Sequence, residues 1–222
     1  MQLEWYGQSA FRLEADGTTV FIDPFDDLSP LTARGRRWDY PPITGVAADL
    51  VLVTHEHLDH NGVGAIGGNP VIVRAAAGTH ETPVGQVVGI ASEHDDAAGT
   101  QRGANTLFAF SLGGRRIAHL GDLGQAALRE AQLAALGTVD VLLVPVGGGP
   151  TIGAEQARAI VDATEAEVVV PHHYRTARID FLEPVDAFAA RFARVHRAEA
   201  PVVDLDALPA GDGPLLVIPA AP

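Results

Sequence analysis

The sequence has no cysteine, so no disulfide can brace the fold and any metal ion would be held by nitrogen and oxygen donors alone. It has no stretch of roughly 18 apolar residues, the length a membrane-spanning helix needs, and no membrane partner is expected. The first residues, MQLEWYGQSAF, show no basic segment followed by an apolar one. That predicts no signal peptide and makes a cytoplasmic location the default expectation. Positive charge is scarce: 15 basic against 28 acidic side chains give a formal charge of −13, which opposes long-range attraction to nucleic acid or to an anionic membrane. No linker, low-complexity tract or fixed-period repeat is visible, and the length points to a single domain over residues 1–222.

What the sequence does have is concentrated in residues 51–60, VLVTHEHLDH. Residues 49–53 predict a buried strand, and His55, His57, Asp59 and His60 follow at its carboxyl end, where loops commonly carry function. In extended chain, residues two apart share a face. His55 and His57 can therefore serve one ion while Glu56 points away, and a following turn can swing Asp59 and His60 toward a second. A lone histidine in such a place is usually a hydrogen-bonded structural residue. Three imidazoles and a carboxylate packed together without a cation would instead be poorly satisfied, and they are donors that zinc, manganese and iron accept.

The surrounding pattern is α/β. Residues 3–6, 9–14 and 18–22 predict short strands with a tight turn at Asp16-Gly17. The proline-rich segment 25–42, with Arg34, Arg36, Arg37, Trp38 and Tyr40, predicts a loop near the mouth of a site. Residues 62–66 are too rich in glycine for a firm helix. Further strands are expected at 71–74, 86–91, 106–111 and 115–119, the last two joined through Gly113-Gly114. The alanine- and leucine-rich stretch 125–136 predicts the clearest helix, capped by Gly137. Strand and helix then alternate, with strands at 139–145, 167–170 and 215–218 and helices at 153–163 and 184–194. Two strand-rich halves, each ending in helices, suggest two packed sheets with helices outside.

Several segments resemble, in order, the signature of the metallo-β-lactamase fold superfamily, a group of mostly dinuclear metallohydrolases. THEHLDH resembles its H-x-H-x-D-H motif, IDPF at 22–25 its early aspartate element, and SEH at 92–94 its third-histidine element. HLGD at 119–122 resembles the bridging-aspartate element and VPHHY at 170–174 the terminal-histidine element. The stretch HDDAAGTQRGANT at 94–106 is closer to small bacterial members related to ascorbate-phosphate lactonases and phospholipase-D-type proteins than to antibiotic-destroying lactamases. The resemblance implies an αββα sandwich of two mixed sheets with helices on the outer faces. It also implies that His94 completes one site with His55 and His57, that His173 completes a second with Asp59 and His60, and that Asp122 bridges them.

The residues leave alternatives open at some of these positions. Asp122 has two carboxylate oxygens to offer to two cations, but is also placed to cap the 125–136 helix. His172 and His173 are adjacent, and neighbours on extended chain face opposite ways, so one of them reaches the site; the family pattern selects His173. His119 suits a core or supporting role, and His80 and His196 have no partner spacing. Asp23 can orient a ligating imidazole through its second nitrogen or simply form a turn before proline.

Two divalent ions, zinc first and manganese or iron as alternatives, would supply an activated water, with Asp59 as the catalytic residue that orients it and accepts its proton. Arg102, Asn105, Tyr174 and Arg175 are the candidate substrate contacts, since arginine pairs with phosphate or carboxylate and tyrosine donates to an oxyanion. The expected function is hydrolysis of a small ester, lactone or phosphodiester substrate, with an anionic group a natural feature of it. An iron-dependent redox enzyme on the same fold and a non-catalytic metal sensor are the other readings. Homo-oligomers are compatible with all three.

Overall fold

The computed structural model describes residues 1–32 and 35–222; Arg34 of the proline-rich segment lies outside the described residues. The first strands are β1 (Gln2–Gly7), β2 (Ala10–Ala15), β3 (Thr18–Ile22), β4 (Val46–Ala47), β5 (Leu50–Val53), β6 (Ile66–Gly67) and β7 (Val71–Arg74). There follow β8 (Gly78–Thr82), β9 (Gly85–Glu93), β10 (Ala104–Leu112), β11 (Arg115–His119) and β12 (Val141–Pro145). The last four are β13 (Val168–His172), β14 (Arg194–Arg197), β15 (Val202–Asp204) and β16 (Leu215–Ile218). One mixed sheet runs β15-β1-β2-β3-β5-β7 and the other β14-β16-β13-β12-β11-β10-β9-β8, while β4 and β6 form a small separate pair.

Alternation along the strands explains why the two sheets stack. In β5, Leu50 and Leu52 join the core shared by the sheets, where they meet Phe11, Phe108, Phe110 and Leu142. Val51 and Val53 face the other way, into a second cluster with Phe21, Phe25, Trp38, Tyr40 and Ile179. A strand buried on both faces carries no polar residue, which is why β5 is the unbroken run LVLV. Asp16 and Gly17 both have positive φ, 52° and 74°, as a two-residue β2–β3 hairpin turn requires.

The helices are α1 (Ser29–Thr32), α2 (Glu130–Leu136), α3 (Ala154–Thr164) and α4 (Asp186–Ala189). α3 buries Ala157, Ile160 and Val161 and packs on β12 and α4, while α2 packs on β9. The outer cover of the first sheet is mostly irregular chain from the 25–43 segment and from Ile179 and Leu182. None of the described helices is long and apolar enough to cross a membrane.

Two predicted helices are shorter than expected. The 125–136 stretch becomes helical at Glu130, because the Gln132 side chain accepts from the Arg129 backbone N–H and begins the helix there. Gln125 instead donates to the Ala127 carbonyl and to Gln132. The 184–194 stretch holds only the one-turn α4, followed by a turn, and its last residue, Arg194, starts β14, which pairs with β16 in parallel register. Residues 62–66 form a single 3-10 turn, Val63–Ala65. Strands β8, β14 and β15 were not expected from sequence, and each is the edge strand of its sheet. Edge strands have one unpaired side and tolerate polar residues, so GTHET and RVHR lack the apolar signal.

β3, β5 and β7 are parallel, as are β11, β12 and β13. β1 and β9 run with them, because each is two antiparallel steps from a member of the set. The carboxyl ends of all these strands therefore open on one edge of the sandwich, and the chain's histidine-rich segments leave from those ends.

Candidate metal centre

Three groups of potential ligands assemble at this edge: His55, His57 and His94; His55, His60 and Asp122; and Asp59, Asp122 and His173. Within each group the donor atoms lie within 4.8 Å of one another. The seven side chains come from the loops after β5, β9, β11 and β13, so strand direction gathers residues up to 118 positions apart.

Asp122 is the hub. Its Oδ2 lies 3.2 Å from His60 Nε2, 3.3 Å from His94 Nε2 and 3.2 Å from His173 Nε2. Asp59 Oδ2 lies 3.3 Å from His60 Nε2, and His55 Nε2 is 3.0 Å from His57 Nδ1. Two donors about 2.1 Å from one tetrahedral ion stand roughly 3.4 Å apart, so these separations match the spacing a shared cation imposes. The Asp122 carboxylate faces both ligand groups with one oxygen rather than two. Its Oδ1 accepts a hydrogen bond from Ser9 Oγ at 3.1 Å.

The supporting bonds direct lone pairs inward. His60 Nδ1 donates to Asp23 Oδ2 at 2.9 Å, His94 Nδ1 to the Pro150 carbonyl at 3.0 Å, and His55 Nδ1 to Thr54 Oγ1 at 3.1 Å. With the proton on Nδ1, each Nε2 presents a lone pair to the centre. Asp23 sits where a residue orienting an imidazole must sit, and it also accepts from the Thr54 backbone N–H and hydroxyl, both at 2.7 Å. His60 Nε2 is buried and makes no hydrogen bond although two carboxylates adjoin it. A buried ring nitrogen between two carboxylates is a place for positive charge, a proton in the metal-free chain or a metal ion.

The electrostatics favour metal-binding forms at His55 and Asp122 and a proton at His60. Burial, reinforced by His60 and His94, pushes the His55 imidazole down to about 2. Burial alone would also lower His60, but Asp122, Asp59 and Asp23 raise it well above its ordinary value. Burial would raise the Asp122 carboxyl, yet His173 and His60 hold it well below the usual carboxylate range. Neutral His55 and ionised Asp122 are in the forms that bind metal, whereas His60 holds a proton that a cation must displace.

His172 and His173 resolve as their opposite facing predicts. His173 meets Asp122, whereas His172 is turned into the core, 3.1 Å from Ser9 Oγ and stacked on His119 at 4.8 Å. His119 accepts from the Gly121 N–H and bonds the Ser9 carbonyl, a supporting role. Asp122 caps no helix, because α2 begins eight residues later.

Of the predicted substrate contacts, Arg102 lines the cavity above the centre, together with Leu31, Arg36, Trp38, Leu58 and Phe181; its volume is about 290 Å³. The other three are placed elsewhere. Asn105 is buried beneath the centre, donates to Ser92 Oγ and the Leu120 carbonyl, and accepts from the Asp122 backbone N–H. The Tyr174 ring stacks on Trp5 at 5.2 Å in the core, and Arg175 Nε donates to the Leu182 carbonyl at 2.6 Å. Nearness in sequence to His94 or His173 did not carry these side chains to the cavity: Asn105 points beneath the centre from β10, and the chain leaves strand geometry at His173, where φ is 51°. A larger cavity, about 740 Å³, lies at the opposite edge of the eight-stranded sheet and contains no histidine.

Sequence reading missed Gln8, Ser9 and Thr54. Thr54 directly precedes His55 and was recoverable; Gln8 and Ser9 reach the centre only through the β1–β2 turn, and no local signal marks them. Ser9→Ala is expected to lower metal affinity about 10- to 100-fold, the usual effect of losing a group that orients a ligand, with the fold retained; metal-competition titration measures it. Asn105→Ala is expected to cost roughly 2–3 kcal/mol, because the Asp122 N–H and Leu120 carbonyl lose their buried partner. Denaturant unfolding checks that value.

Two mixed sheets bearing a histidine–aspartate cluster on their common edge define the metallo-β-lactamase fold. Residues 2–173 match the model of the beta-lactamase superfamily domain, and the chain belongs to that family. A UPF0173 protein of Pyrococcus furiosus is 33% identical over 79% of this chain and 84% of its own length. A UPF0173 metal-dependent hydrolase of Pyrobaculum neutrophilum is 29% identical over 90% of this chain and 95% of its own. A metallo-β-lactamase superfamily structure from Thermotoga maritima superposes with a TM-score of 0.77 and 32% identity, covering 98% of this chain and 97% of that one.

Proposed function

We propose that this chain is a dinuclear metal-dependent hydrolase acting on a small ester, lactone or phosphodiester. The observation that carries the reading is the convergence of His60, His94 and His173 on one oxygen of Asp122 at 3.2–3.3 Å, with the remaining donors grouped on either side. His55, His57 and His94 would hold one ion, Asp59, His60 and His173 the other, and Asp122 would touch both. Bound there, two divalent ions would supply a water activated at neutral pH and polarise the oxygen of the attacked group. The names of the Pyrobaculum relative, a metal-dependent hydrolase, and of the Thermotoga neighbour, a candidate zinc-dependent hydrolase, support the assignment and favour zinc.

The chain's own residues divide the work. Asp59 lines the cavity and is the proton acceptor for the attacking water; Gln8 Nε2 lies 3.4 Å from its Oδ2 and steadies it. Asp23 and Thr54 fix His60 and His55, so the donors are arranged before substrate arrives. Leu31, Trp38, Leu58 and Phe181 form an apolar wall that excludes bulk water from one side of the reacting group. The cavity is small by the standards of ligand sites, consistent with a small-molecule substrate rather than a polymer.

Turnover of aryl esters, lactones and phosphodiesters by zinc-, manganese- and iron-reconstituted protein tests the proposal. Hydrolysis of at least one class, lost in Asp59→Asn and restored by no added metal, is the expected result. No turnover of any class with metal stoichiometrically bound would overturn it. Oxygen consumption by the iron form, without hydrolysis, would identify the redox reading instead.

A further inference from the structure

The cavity over the centre carries a second pattern that the metal ligands do not use. Arg36 and Arg102 both line it, one from the segment between β3 and β4 and the other from the loop between β9 and β10. Arg36 is held at its side chain and Arg102 at its backbone. Arg36 lays its guanidinium over the Phe181 ring, 4.6 Å from the centroid, a stacking that fixes the plane and leaves the N–H edge free for an anion. Arg102 rides on a loop whose backbone N–H groups at Ala97, Gly99, Gln101 and Arg102 itself converge on the Asp95 carboxylate at 2.7–3.0 Å.

Neither guanidinium is neutralised within the chain. Among the described residues the arginine ion pairs belong to Arg12, Arg74, Arg115, Arg129, Arg158 and Arg197. Asp95, seven residues before Arg102, is engaged by four amides, and Asp96 lines an adjoining cavity that Arg102 also borders, without an ion pair between them. In a chain of formal charge −13 with no lysine, two arginines without an ion pair among the described residues stand at one small mouth, whose carboxylates, Asp59 and Asp122, belong to the candidate metal centre. Beside them Trp38 and Phe181 present flat apolar surface, and the buried Trp38 indole N–H has no acceptor among the described residues.

We infer that the cavity is an oxyanion subsite: the substrate carries, apart from the bond that is cleaved, a carboxylate or phosphate on a small flat apolar body. Arg36 and Arg102 pair with the anion, and Trp38 and Phe181 bear the body. This rests on the hydrolase reading for the word substrate, and on the cavity alone for the subsite. Arginine forks grip either oxyanion through paired N–H groups, so the two anions share one recognition chemistry.

The test is calorimetric titration of the zinc-loaded protein with phenylacetate, phenylphosphonate and neutral phenylacetamide, repeated on the double variant Arg36→Ala/Arg102→Ala. At least one anion is expected to bind tenfold or more tighter than the amide, with the preference gone in the double variant and largely kept in Arg36→Lys/Arg102→Lys. Equal affinity for acid and amide would overturn the inference. So would a preference that survives in the double variant, which would place the anion on the metal ions. A parallel comparison of kcat/KM for an aryl ester with and without a distal carboxylate separates the two readings. Binding preference without any turnover leaves the subsite standing and removes the hydrolase; turnover of both esters at equal efficiency, with no binding preference, does the reverse.

Discussion

Asp122→Asn is expected to lower hydrolytic kcat/KM about a thousandfold, equivalent to ~4 kcal/mol of transition-state stabilisation, while the protein stays folded. The amide has the shape of the carboxylate, can still meet Ser9 Oγ, and leaves the backbone bond from residue 122 to Asn105 untouched. What it lacks is the charge. Asp122 Oδ2 lies within 3.3 Å of histidines from both ligand groups, and a neutral oxygen is a poor bridge between two cations. Metal content should fall from two ions per chain to one or none, measured by elemental analysis on protein of unchanged circular dichroism. Retention of two ions with activity within tenfold of the parent would show that Asp122 is not the bridge.

The second large effect is on stability. Removing metal with a chelator is expected to lower Tm by about 10 °C. A ligand present at a thousand times its Kd stabilises the native state by about 4 kcal/mol, and one kcal/mol moves Tm by roughly 2–4 °C in a chain of this size. The cause lies in the buried cluster: Asp23, Asp59 and Asp122 are all buried, and in the metal-free protein the compensating charge is a proton on His60. A metal ion competes with that proton, because only the neutral imidazole is a ligand. The sign follows directly. Lowering pH favours the protonated, metal-free state, so the gap in Tm between metal-loaded and chelated protein should shrink as the solution is acidified. Differential scanning calorimetry across pH with and without chelator measures this, and a Tm unchanged by chelator at every pH would rule out ions at these histidines.

Much of this architecture is legible in the sequence where burial is two-sided or turns are tight. The run LVLV, the hairpin at Asp16-Gly17 and the glycine pair at 113–114 each have one physical solution. The cluster His55, His57, Asp59 and His60 is legible for a similar reason, since so many donors in one loop have few other uses. His94, Asp122 and His173 are separated from it by long stretches of chain and become neighbours only because their strands run in the same direction. What was not legible is what depends on the third dimension alone. Asn105, Tyr174 and Arg175 follow site residues in sequence but do not line the cavity, while Ser9, distant in sequence, bonds Asp122 and Phe181 lines the cavity. The 184–194 stretch has helical composition, but its helix stops at Ala189 and its last residue, Arg194, already begins the strand that pairs with β16. The fold sets where a site can stand, and the chemistry is decided by which side chains its loops deliver there.

The most direct test of the two-ion centre is a crystal of the zinc-loaded protein measured with anomalous scattering at the zinc edge. The account predicts two peaks roughly 3.5–4 Å apart, one among His55, His57 and His94 and the other among Asp59, His60 and His173, with Asp122 between them. A single peak, or peaks away from Asp122 at full zinc loading, would contradict it.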